Sequence, residues 1–101
     1  MGTNVPAKRP DIRRITVPAA TEVSFHFEGV VSVIGFHIQT IGQSNLYIGL
    51  SEGATFSTDN FYTLKASYVM IHRDINWTPT DEALWLRSSS GEITCEIMYW
   101  G

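Results

Sequence analysis

Three histidines, one cysteine and a scatter of carboxylates are the residues of this 101-residue chain best suited to chemistry. His26, His37 and His72 have no second histidine two or four positions away, the spacing that local metal sites use. His26 stands between Phe25 and Phe27 in the polar phase of an alternating run and reads as a solvent-facing strand residue. A metal enzyme of cupin type would need histidines and an acid gathered from different strands. Cys95 is in phase with Ile93 and Ile97, where a thiol packs as a small hydrophobe rather than serving as a thiolate. Ser88, Ser89 and Ser90 run into Gly91 as a turn, with no strained nucleophile elbow around them. Asp81 and Glu82 are neighbours that point to opposite faces of an extended chain. Glu92 and Glu96, on one strand, stand about 13 Å apart, too far to work on one bond. The glycines are scattered singly, so no phosphate-cradling loop is expected. Asn76-Trp77-Thr78 fits a glycosylation acceptor, but no apolar leader precedes it, and it reads as loop composition. The expectation is a protein that is not an enzyme and uses no cofactor and no metal.

Composition narrows the partners. A single cysteine excludes an intrachain disulfide and a cysteine-rich zinc site. A net charge of −3 provides no general attraction to nucleic acid. No apolar run approaches the roughly 18 residues of a membrane span. Charge is nevertheless divided. Residues 1–14 carry Lys8, Arg9, Arg13 and Arg14 against Asp11, while residues 15–101 are acidic, with a balance of −6. Pro6 and Pro10 favour extended backbone in the basic part. The reading is an extended arm over 1–14 attached to a domain over 15–101. About ten extended residues of such an arm reach roughly 33 Å and can lay its cations on the acidic body of a neighbouring copy. The plainer alternative is a solvated terminus.

The elements that would position these residues are strands. Thr21 to Phe27 alternates with period two. Val30 to Thr40 is a β-branched run whose apolar phase switches at Gly35, which predicts a bulge. Leu46, Ile48 and Leu50 share one phase. Tyr68 to His72, Ala83 to Arg87 and Ile93 to Trp100 complete the set. No long stretch has an apolar 3.6-residue period. Seven to eight short strands predict an all-β fold, an antiparallel β-sandwich or a jelly-roll-like barrel.

The predicted inward set is Val23, Phe25, Phe27, Leu46, Ile48, Leu50, Val69, Ile71, Leu84, Leu86, Ile93, Cys95 and Ile97. The opposite phase holds Tyr47, Tyr68, Met70, Trp85, Met98 and Trp100, where an antiparallel sandwich should be polar. Aromatic and thioether side chains there predict a contact surface. It would bind either further copies of the chain, giving a homo-oligomer, or sugar rings stacked on aromatic faces. Trp77, in a loop, suits the glycan role.

The basic, proline-containing start, the segment Leu84-Trp85-Leu86-Arg87-Ser88-Ser89-Ser90-Gly91 and the closing Ile93-Thr94-Cys95-Glu96-Ile97-Met98-Tyr99-Trp100 resemble the small β-sandwich structural proteins of tailed bacteriophages. The resemblance implies a virion component assembled in the host cytoplasm, either a head decoration (cement) protein or a tail- or fibre-associated module. It also implies action by binding, often as a trimer, with the major capsid protein or another virion protein as partner and N-terminal arms clamping neighbours. It carries no individual functional residue across.

Overall fold

The computed structural model describes residues 10–30, 32–73 and 83–101. Eight strands run in order: β1 Asp11–Val17, β2 Glu22–Phe25, β3 Gly35–Ile41, β4 Leu46–Gly49, β5 Tyr62–Leu64, β6 Val69–His72, β7 Leu84–Ser88 and β8 Ile93–Trp100. A 3-10 turn at Ala54–Phe56 lies between β4 and β5. Each strand pairs antiparallel with its mirror in sequence order: β1 with β8, β2 with β7, β3 with β6, β4 with β5. The chain is thus one long hairpin doubled at β4 and β5. Two further pairings, β3 with β8 and β4 with β7, wrap it into sheets of order β1-β8-β3-β6 and β2-β7-β4-β5. Two four-stranded antiparallel sheets related in this way form the jelly-roll sandwich.

Alternation decides what lies between the sheets. On β8, Ile93, Cys95, Ile97 and Tyr99 are buried while Thr94, Glu96, Met98 and Trp100 are half-buried on the other side. On β7 the same rule buries Leu84, Leu86 and Ser88. At one end of the core, Phe25, Phe27, Phe36 and Tyr99 pack ring against ring. Phe27 stands 5.1 Å from both Phe25 and Tyr99, edge to face, the arrangement that aromatic quadrupoles favour. The buried Tyr99 hydroxyl donates to the Glu28 carbonyl at 2.7 Å, so the phenol keeps a partner. The Ser88–Gly91 turn predicted from sequence joins β7 to β8, with Gly91 in the left-handed region at φ 69°. It is tied to the residue just before β4 by a bond from the Ser89 N–H to the Asn45 carbonyl, 2.9 Å.

Several inward assignments change. Met70 is opposite Ile38 and packs on the core, while Val69 and Ile71 are opposite Gln39 and His37 and are exposed. Tyr68 to His72 is apolar in both phases, so its register on β3 decides its face, not its own pattern. Leu50 is 72% exposed because β4 ends at Gly49. Val23, opposite Leu86, is half-buried but packs on the core as expected. Val33, Phe36, Ile38 and Tyr99 also enter the core. The phase does change across Gly35, but at the start of β3 rather than at a bulge inside a strand. Residues 11–14, expected in the arm, belong to β1 and pair with β8 from Asp11 onward.

Candidate functional site

Cross-strand register sets out the outer face of the β1-β8-β3-β6 sheet row by row. One row is Ile12, Met98, His37 and Ile71; the next is Arg14, Glu96, Gln39 and Val69; a third is Thr16, Thr94 and Ile41. Ile12 is 66% exposed, and Ile41, Val69 and Ile71 are each about half exposed. Beyond the first row the indole of Trp100 lies over Gly35 and meets the His37 ring edge to face, centroids 5.4 Å apart. His37 Nε2 is buried there without a hydrogen-bond partner among the described residues. Two shallow depressions flank the His37–Met98 ridge. One, of about 300 Å³, is lined by Ile12, Gln39, Val69 and Glu96; the other, of about 480 Å³, by Pro10, Arg73 and Trp100.

The polar row through this face is satisfied within the chain. The Arg14 guanidinium pairs with Glu96, and Gln39 Nε2 donates to Glu96 Oε1 at 2.8 Å. These hydrogen bonds, Arg14 first, hold the Glu96 carboxyl below the usual carboxylate range. Arg13 faces the other way. Its guanidinium lies 5.9 Å from the Tyr99 ring centroid and 3.9 Å from Asp11. Two arginines read as one basic patch therefore stand on opposite sides of β1. Lys8 and Arg9 lie outside the described residues, as does Trp77.

The outer face of the other sheet is partly covered by the chain itself. Glu22, Arg87, Tyr47 and Thr63 form one row, Ser24, Trp85 and Gly49 the next. The 3-10 turn settles on them. The Thr55 carbonyl accepts from Arg87 Nε at 3.0 Å and from its terminal nitrogen at 2.6 Å. The Glu22 carboxylate accepts from the Gly53 and Thr55 N–H groups, at 2.7 and 3.1 Å, and from the Thr55 hydroxyl. Arg87 also lies between the rings of Tyr47 and Phe56, 4.7 and 4.6 Å from their centroids. Phe61 closes over Tyr47 at 4.6 Å.

The six residues expected to form one contact surface are thus separated. Met98 and Trp100 lie on the face that is uncovered among the described residues. Tyr47 is packed under its own loop, Trp85 is half-buried on that same sheet, Tyr68 is exposed beside β6, and Met70 points inward. Ile12, Val69, Ile71 and His37 join the uncovered face. Alternation on β3 carried a signal for His37, but only cross-strand register shows that the others share its face.

The residues with chemistry stay apart. Cys95 is fully buried and burial pushes its thiol up to about 12. His26 and His72 are exposed, and no three His, Cys, Asp or Glu side chains gather as a metal site among the described residues. No protein-family model and no curated protein sequence matches the chain.

Proposed function

We propose that this protein is a non-enzymatic structural component of a particle, a phage virion protein of the decoration type that its last two strands resemble. Identical copies associate through the outer face of the β1-β8-β3-β6 sheet, with a trimer as the expected unit, and the assembled unit binds the capsid or a neighbouring virion protein.

One observation supports this reading. One sheet lies partly under its own 3-10 turn, whereas the other turns Ile12, Ile41, Val69 and Ile71 outward around Met98 and Trp100. Antiparallel sandwiches normally show water a polar face, and apolar patches on this scale mark contacts. Strands of seven, eight, seven and four residues give a face of roughly 400 Å² on each partner, the size of a weak or transient contact. Arg14 and Glu96 neutralise each other inside that face, so a partner covering them buries no unpaired charge at that row. Lys8 and Arg9, ahead of β1, carry the basic charge left to meet an acidic neighbour.

Light scattering at micromolar concentration tests the proposal. The protein should show an oligomer mass, and Ile12→Glu and Met98→Glu should each lower it with the far-ultraviolet spectrum unchanged. A mass that neither variant alters overturns the reading.

A further inference from the structure

Among the described residues each sheet ends in two edge strands, whose outward N–H and C=O groups have no ladder partner there. Three of the four edges carry the features that natural sheets use against mispairing. β1 holds Asp11, Arg13 and Arg14 between Pro10 and Pro18. β2 includes Glu22, and β5 has only three residues. β6 differs. Val69-Met70-Ile71-His72 contains no Lys, Arg, Asp, Glu or Pro, it turns Val69 and Ile71 to the outer face, and Tyr68 beside it is 63% exposed.

We propose that β6 is a second self-association surface, at which it pairs antiparallel with β6 of another copy about a two-fold axis. The occupant is a second copy because an antiparallel strand is its own complement under that symmetry: each unpaired N–H on one meets the corresponding carbonyl of the other. The charges agree. Arg73, just past the strand, falls at opposite ends of the pair, so the two cations stand about 20 Å apart, whereas parallel pairing would put them side by side. An axis normal to the sheet passes between two equivalent residues. Centred on Met70, it sets Val69 against Ile71 on the outer face and Tyr68 against His72 on the other. The two four-stranded sheets become one of eight strands, and Val69 and Ile71 of both copies meet on the outer face at the join. The edge is distinct from the face in the proposed function: the face builds the unit, and the edge joins units in pairs.

The register gives the test. Tyr68→Lys with His72→Lys places like charges opposite each other at both ends of the pair and should weaken edge association at least tenfold by sedimentation. Tyr68→Glu with His72→Lys places opposite charges in the same positions and should restore it. In a single copy, alternate β6 amides face outward; in the pair both sets are bonded. Amide exchange of residues 69–72 should therefore slow at least tenfold on alternate residues as concentration rises. Met98→Glu, which removes the face contact, should leave that slowing intact, so failure of the face and failure of the edge are separate results. Equal association of the double-lysine variant and the parent chain, no difference between the two double variants, or exchange independent of concentration each overturns the edge pairing.

Discussion

Trp100 lies across Gly35. A Cβ at Gly35 would come within 2.8 Å of Trp100 Cε2 and 2.9 Å of the His72 carbonyl oxygen, so the indole and the β6 backbone close on the glycine together. The missing side chain makes the seat for the last aromatic of β8, and through it fixes the edge of the His37 ring.

Gly35→Ala should therefore destabilise the fold although it adds a single methyl. The indole can move, but the carbonyl belongs to a sheet ladder. The expected loss is about 1–3 kcal/mol, the range for overpacking a filled site. Urea unfolding followed by tryptophan emission measures it, and the native spectrum should shift as Trp100 lifts from its seat. An unchanged midpoint would show the seat to be loose.

Acid should weaken the attachment of the 3-10 turn. Burial pushes the Glu22 carboxyl up, but hydrogen bonds from the Thr55 hydroxyl and from the Gly53 and Thr55 N–H groups, with the Arg87 charge, outweigh it and leave it below its ordinary value of 4.5. A group lowered on folding stabilises above its unfolded value, and that contribution fades as pH falls through the folded one. Stability should thus decline below about pH 4.5, and Glu22→Gln should flatten that part of the profile. Thermal melts from pH 3 to 7 compare the two; parallel profiles would remove Glu22 from the account.

Cys95 should resist thiol reagents in the native protein. Its thiol is pushed up to about 12 and its side chain is fully buried between the sheets. Labelling should proceed at the rate of chain opening and rise steeply through the denaturant transition. Rapid labelling of native protein would contradict the packing of β8.

Arg13 and Arg14 should behave as opposites. Arg14 borders the uncovered face and neutralises Glu96 there; Arg13 lies over Tyr99 on the inner side of β1. Arg14→Ala should weaken self-association by leaving Glu96 without its cation, and Arg13→Ala should not. Sedimentation at low and high salt separates them. Equal effects from both would mean that the basic cluster acts as a whole.

How far the sequence could be read depended on whether a strand carries its own phase. β8 does: Ile93, Cys95 and Ile97 alternate with polar or amphipathic neighbours, and their burial follows. Tyr99 shares that phase and was legible by the same rule. β6 does not, since Val69, Met70 and Ile71 are all apolar, and only pairing with β3 turns Met70 inward. In β1, the basic residues 13 and 14 masked a strand that Ile12, Ile15 and Val17 help to form. The covering of Tyr47 rests on Glu22 and Arg87 meeting Thr55 more than thirty residues away in each direction, and no local pattern announces such contacts.

The doubling of the chain bears on its synthesis. β8 is the last of the described strands to leave the ribosome, yet it lies in the middle of its sheet, between β1 and β3. Until it arrives, β1 and β3 have no common neighbour, and the interior side of β3 has no partner for Phe36 and Ile38 from that direction. An incomplete polypeptide would therefore hold two strands awaiting the same third, open to capture by another nascent copy. Chaperone dependence during translation, rather than fragility of the finished sandwich, is where such a topology would show its cost.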